Sequence, residues 1–522
     1  MTACGGAPRA AMGAGVPDLR PLVGVAAAVT VLAAAGAVPA WPGLAHHVAL
    51  PPLDLFADVR VLLAEAPSYP SFVSGLVASL VLRSVVLAAM LGALGRQGMA
   101  RGLAFYGASL VPALVAGVLG FSGVVVLYAL FLWAAVVVAV AAVVVLGPLP
   151  WRGWRCSGAR QVVVAYLVAL LAVSLASSAG ARPAQVGLVW VSAGLTAVAV
   201  RRLSGEGGWL RGGWLRGGWR PVPSAILAVV LAAGPVQAPA QSHAPAAEPA
   251  AGVPPRPRDG TLFLVPGIGA SSGTSTMFRL DPGALGFGCE QTVYFSYAGP
   301  GDGAPRRSSL CPITRGAPYV AEDTHRPMAE LAASFRAQLA DLTPPVVVVA
   351  HSQGGWIVAS ALGGGPAGAV DAVVLLGTFP RHQRGYVLDG TGGGLVGSDG
   401  MEVLTGVLRA AGATSFDPRA PLPRDHLGTT GAVADLMAGG FPGGVRVVTV
   451  TAAPDLPLMG ADWRLDDATD LCPVYVDHSG LITSSRVHRL VGDALDGRDP
   501  AGCAWWRRWP PLAFAAFGAP SP

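Results

Sequence analysis

Val346-Val347-Val348-Val349-Ala350-His351-Ser352-Gln353-Gly354-Gly355, set between Pro344-Pro345 and the apolar run Trp356–Leu362, is the stretch that decides the fold. Four valines in a row have no polar face to turn to solvent, so they read as a central strand covered on both sides. Pro344-Pro345 breaks the chain before it, and the glycines after Ser352 allow a sharp turn into the helix that resumes at Trp356. Strand, tight turn and helix thus follow one another within 19 residues.

Working outward, the same alternation repeats. Thr261–Val265 reads as a buried strand running into Pro266-Gly267-Ile268-Gly269, and Thr292–Ser296 reads as a second. Met328–Leu342 has helical periodicity, with Leu331, Phe335 and Leu339 on one face. Further strands are expected at Ala372–Leu376, Val445–Thr451 and Pro473–Val476, and a helix over Ser484–Leu495. Strands alternating with helices predict an α/β fold, a mostly parallel sheet with helices on both faces, over residues 259–522. Some 68 residues rich in Gly and Pro separate the strand at 372–376 from that at 445–451, and an insertion near 380–444 is expected to act as a cap or lid.

The rest of the chain is written for another solvent. Of 522 residues, 52% are apolar and 12% charged, with a mean hydropathy of +0.54, which excludes a disordered chain and points to membrane spans. All 35 basic residues are Arg, and the absence of Lys and Asn fits a GC-rich coding sequence and removes every N-glycosylation acceptor. Residues 1–258 hold 17 Arg against 6 acids, and residues 259–522 hold 18 against 24. Apolar runs long enough to cross a hydrocarbon core of ~30 Å lie near 21–40, 72–94, 103–120, 122–146, 161–180, 184–200 and 222–238. They predict an all-α multispan bundle of about seven helices over 1–238; a removed signal peptide is the rival reading of the first run. Arg clusters in alternate loops (Arg9 and Arg20, Arg96 and Arg101, Arg152 to Arg160, Arg201 to Arg220) place the N-terminus in the cytoplasm. An odd number of spans then puts the C-terminal domain outside the membrane. Residues 239–258, dense in Pro and Ala, read as a stiff extended linker.

Two features of the membrane half stand apart. The repeat over Gly207–Arg220 sets Trp and Arg at the inner interface, as an anchor would. Arg83 falls within the second run, where a charge is costly; it is expected to snorkel or meet a carbonyl, or else to serve a headgroup or substrate. Four of the six cysteines, Cys289, Cys311, Cys472 and Cys503, fall in the C-terminal half, an even set that suggests two disulfides outside the cytoplasm. Cys289–Cys311 with Cys472–Cys503 is the most local of three pairings. No Cys/His spacing suggests a zinc site, and no phosphate loop or dinucleotide fingerprint is present, so neither metal nor cofactor is expected. The Arg clusters follow topology, so nucleic acid is not an expected partner.

The turn at Ser352 carries the chemistry. In a nucleophile elbow the Ser sits at a strained strand-to-helix turn, and small residues two before and two after it let strand and helix approach. Here these are Ala350 and Gly354, giving A-H-S-Q-G where G-x-S-x-G is usual. A literal G-x-S-x-G at Gly269–Gly273 is set aside, because no strand runs into Ser271 and no helix pattern follows it.

Over about residues 259–497 the chain resembles the α/β-hydrolases of the lipase and esterase kind. The resemblance implies an oxyanion loop after the first strand, with Pro266 where these enzymes usually carry His, and the backbone N–H groups of Ile268 and Gln353 as donors. It implies the chain order Ser, acid, His, with His478, just after the last expected strand, at the place of the general base and Asp455, in the loop after the strand at 445–451, at the place these enzymes use for the acid. Asp462, Asp466, Asp467 and Asp470 crowd the same region and are taken as a surface cluster. His351 is expected to point away and pack, and His488 to be a solvated helix residue. The implied function is a membrane-anchored serine hydrolase cleaving carboxylic esters, of lipid or of an acylated envelope component, at the outer membrane face. An acyltransferase on the same triad, or a transporter or sensor carrying an inactive module of this fold, are the alternatives. The Trp505–Pro510 segment is expected either to touch the membrane surface or to cover the core.

Overall fold

A computed structural model of the chain describes residues 256–381 and 394–498 apart from short gaps, of which 456–463 is the longest. Before them it describes the helices α1 (Arg20–Ala34), α2 (Tyr69–Met90) and α3 (Arg182–Leu203), with shorter pieces between. The C-terminal half follows as β1 (Thr261–Val265), β2 (Thr292–Tyr294), α4 (Met328–Ala340), β3 (Val346–His351), α5 (Gln353–Leu362), β4 (Val370–Leu376), α6 (Leu395–Ala410), α7 (Ala432–Ala438), β5 (Arg446–Val450), β6 (Thr469–Asp470) and α8 (Ser485–Leu495).

The six strands form one sheet in the order β2-β1-β3-β4-β5-β6, with every pair parallel. Such strands must be joined by crossovers, which cover the faces, so the central strands are largely apolar. All residues of β1 and β3 are buried, as are all but one of β4 and of β5. One face is filled by aromatics: Phe263 of β1 stacks on Phe335 of α4 at 5.2 Å, and Phe295 packs edge-on to Phe263 and Tyr297. On α4 the expected Leu331 and Phe335 are buried and Leu339 is half-buried against the same core, while Gln338 is buried beside it. Gln338 Nε2 donates to Ser296 O at 2.9 Å and its Oε1 accepts from Ser296 N at 2.9 Å, satisfying the backbone just past β2.

Strand order fixes where a ligand can sit. The chain leaves β1 toward β2 on one side and leaves β3 toward β4 on the other. A crevice therefore opens beyond the carboxyl ends of β1 and β3, at the topological switch point. The turns Pro266–Gly269 and Ser352–Gly355 lie there.

The last strand differs from expectation. Pairing with β5 begins at Thr469 and Asp470, opposite Val448 and Thr449, and Val474 makes only an isolated bridge with Ala452. Pro473 has no N–H to donate, which interrupts the ladder in the segment expected as strand. The insertion is more ordered than its composition suggested, since it contains α6, a single π turn at Pro423–Leu427 and α7.

Cys289 and Cys311 form a disulfide with Cα atoms 5.2 Å apart. Cys472 is also disulfide-bonded, while its expected partner Cys503 lies outside the described residues. Among the described residues one helix, Tyr69–Ala89 within α2, is long and apolar enough to cross a membrane, with shorter apolar helices at Leu22–Val31 and Val186–Arg201. A seven-span bundle is therefore not established. The runs at 122–146 and 222–238, most of that at 161–180, most of the linker, and the segments Gly207–Arg220 and Trp505–Pro510 lie outside the described residues. Arg83 has a carboxylate partner: its Nε lies 2.6 Å from Asp58 Oδ2 and its Nη2 lies 2.8 Å from Asp58 Oδ1. Ser79 donates to the same carboxylate, so the charge is matched locally.

Candidate active site

Ser352 has φ 54° and ψ −127°, one of two positive-φ residues other than glycine among the described residues. An L-residue holds that conformation only where its surroundings enforce it. Here the Ser352 N–H donates to Leu376 O at 2.9 Å, and its carbonyl accepts from Gly355 N and from Thr378 Oγ1, both at 3.0 Å. The strand and helix meet as closely as the motif requires: a Cβ on Gly354 would stand 2.8 Å from the carbonyl oxygens of both Val265 and Pro266. Ala350 is fully buried. Gly267, in the turn after β1, lies against the same serine, 3.0 Å from Ser352 Cβ measured from an ideal Cβ position. By contrast Ser271 occupies a turn with no strand leading into it, and its hydroxyl pairs with that of Thr274.

His478 and Asp455 come together beside this turn. His478 Nδ1 lies 2.6 Å from Asp455 Oδ2, with side chains 3% and 0% exposed. A carboxylate oxygen only accepts, so Nδ1 carries the proton and Nε2 is left as the nitrogen that takes one up. The ring rests on Gly377, which follows β4: a Cβ there would meet Nδ1 and Cε1 at 2.9 Å. Gly377 directly follows Leu376, the residue that accepts from the Ser352 N–H, so His478 and Ser352 share the carboxyl ends of β3 and β4. Of the other acids, Asp466 and Asp467 are exposed and Asp470 bonds Thr449, while Asp462 lies outside the described residues.

Two histidines sit differently from expectation. His351 does not point away from the site. Its ring packs on His478 with centroids 4.5 Å apart, and its Nε2 lies 3.1 Å from the His478 carbonyl oxygen. Burial, with His478 close by, holds its pKa well below the usual imidazole range, so the neutral ring donates from Nε2. His488 is not solvated. It shares the buried face of α8 with Val487 and Val491, and its Nε2 donates to Ile482 O at 2.7 Å. A single polar residue in a helical pattern gives no sign of such an acceptor nearby.

The turns after β1 and β3 are tied together by residues that sequence reasoning did not single out. Gly269 N donates to Thr324 Oγ1 at 2.9 Å, and Gln353 Nε2 donates to Thr324 O at 2.7 Å. Tyr297 Oη donates to Pro266 O at 2.6 Å. These contacts span up to 55 residues, and no local spacing announces them. From the insertion, Phe416 packs edge-on to His325 at 5.9 Å, next to Thr324. Burial lowers the His325 pKa.

No known family and no curated protein matches this chain. Among solved structures, it is similar to a serine hydrolase from the polyaromatic hydrocarbon-degrading bacterium Cycloclasticus zankles. The identity is 12% and the TM-score 0.28, with 46% of this chain and 91% of that one covered. That likeness is too slight to add to what the geometry of Ser352, His478 and Asp455 supports.

Proposed function

We propose that residues 259–522 form a serine hydrolase that cleaves carboxylic esters through an acyl-enzyme. The observation that carries this reading is the placement, at one end of one sheet, of a strained Ser352 and a buried His478 held by Asp455 at 2.6 Å. In this mechanism Ser352 Oγ attacks the ester carbonyl carbon while His478 Nε2 takes the hydroxyl proton. The tetrahedral oxyanion faces the N–H groups of Ile268 and Gln353, each contributing about 3 kcal/mol. Collapse breaks the bond to the leaving oxygen, which departs as alcohol with the proton from His478. Water then adds to the acyl carbon, giving its proton to His478. The ester bond to Ser352 breaks, the acid is released, and the serine regains its proton.

We further propose that the enzyme is held at a membrane and faces its outer side, where lipid or acylated envelope esters are the substrates. Two contacts support this placement. Gly394 N donates to Ala66 O at 2.9 Å, and the Tyr69 hydroxyl donates to Asp399 of α6. Both tie the cap to the start of α2, the end that the Arg pattern assigns to the outside. The functional reading is tested by p-nitrophenyl ester hydrolysis. Wild type is expected to turn over, Ser352→Ala and His478→Ala to fall to background, and Asp455→Asn to lose about 10⁴-fold in kcat. Turnover that survives Ser352→Ala overturns it.

A further inference from the structure

We propose that Thr324 is the positioning residue of the oxyanion hole, holding its two halves in register; this rests on the serine hydrolase reading above. The two expected donors come from turns far apart in sequence, after β1 and after β3. A hole made from separate turns works only if their spacing is held, because the developing charge must meet both N–H groups at about 2.7–3.1 Å.

Thr324 touches both turns. Its Oγ1 accepts from Gly269 N at 2.9 Å, and its own carbonyl accepts from Gln353 Nε2 at 2.7 Å. The hydroxyl proton goes to Ala321 O at 2.6 Å, which fixes the rotamer that presents the lone pair to Gly269. Thr324 is fully buried and Gln353 is 2% exposed, so water does not compete for these bonds. The peptide that carries the Ile268 N–H is bracketed. On its N-terminal side the Pro266 carbonyl is held by Tyr297 Oη at 2.6 Å, and on its C-terminal side the Gly269 N–H is held by Thr324. With both neighbouring peptides fixed, the Ile268 N–H has one direction to point. The second donor is steadied through the Gln353 side chain by the same threonine.

Thr324 touches no reacting atom, so its loss should appear in the chemical step and not in binding. Full-length protein purified in detergent is assayed with p-nitrophenyl butyrate, and in parallel for its rate of inactivation by a fluorophosphonate. Thr324→Val keeps the shape and removes the acceptor; it is expected to lower kcat roughly 10- to 100-fold with KM within about twofold. Thr324→Ser keeps the hydroxyl and is expected to return kcat to within about threefold of wild type. Wild-type kcat in Thr324→Val, or a loss that Thr324→Ser shares in full, overturns the proposal. If Thr324→Val does not fold, Gln353→Met, which removes the other bond, is expected to lower kcat at unchanged KM, and unchanged kcat overturns it. A wild-type protein inert to both ester and fluorophosphonate removes the hydrolase reading and this inference together. Wild-type labelling at Ser352 with an indifferent Thr324 removes this inference alone.

Discussion

His351 and His478 show how little room single residues have at this site. Both are buried, their rings touch, and His351 spends its Nε2 proton on the His478 backbone. Burial lowers the pKa of His351, and also those of His325, His426 and His488, from the usual 6.5. In the unfolded chain each imidazole takes a proton near that pH, whereas in the fold it stays neutral. Below 6.5 the unfolded state therefore holds more protons, and acid favours unfolding. Each such histidine adds to the loss of stability on acidification until its own depressed pKa is reached. Urea midpoints of the intact protein are expected to fall from pH 7.5 to pH 5; a midpoint that is level or rises on acidification contradicts this. At this scale the sequence was uneven. Position in the loop after the strand at 445–451, rather than chain order, pointed to Asp455 among five neighbouring acids, and Asp455 is the one that meets His478. Sequence reasoning read the packing of His351 but not its direction, and it misread His488, since the backbone oxygens that hold them are distant or belong to a turn with no signature.

Among the elements, the β3–α5 turn is the most constrained. Its helix starts with Gln353-Gly354-Gly355, and the carbonyls of Val265 and Pro266 press against the middle residue. A methyl group at Gly354 would meet backbone on β1, which cannot rotate aside as a side chain would. Gly354→Ala is accordingly expected to cost about 1–3 kcal/mol of stability and at least about tenfold in kcat, read by urea unfolding and ester turnover on one preparation. Wild-type behaviour in both would mean that the close approach is not needed. The strand–turn–helix was legible because every feature that makes it lies within 19 consecutive residues. Strands β1, β3, β4 and β5 were legible for a related reason: burial on both faces demands uninterrupted apolar runs. Strand β6 was not, because its two residues, Thr469 and Asp470, are polar and pair through the backbone, while the more strand-like Val474 follows a proline. The cap helices escaped notice because glycines at 397, 400 and 406 of α6 dilute its periodicity.

For the whole molecule, the central contrast is between a basic apolar half and an acidic half that builds a sheet. The split was plain from composition, since Arg and acidic residues are sorted so differently across residue 258. The number of spans was not, because length and hydropathy alone do not separate a spanning helix from a buried one, and one helix among the described residues meets both criteria. Orientation makes a direct prediction: a reporter active only in the cytoplasm, fused after Pro257, is expected to stay silent, and one active only outside to work. The reverse result would place the C-terminal domain on the inner side. The most direct test of the account is covalent labelling of the full-length protein with a fluorophosphonate, followed by mapping of the modified peptide. The predicted result is a single adduct on Ser352, absent in Ser352→Ala and strongly slowed in His478→Ala; an adduct that persists in Ser352→Ala, or none in the wild type, would contradict it.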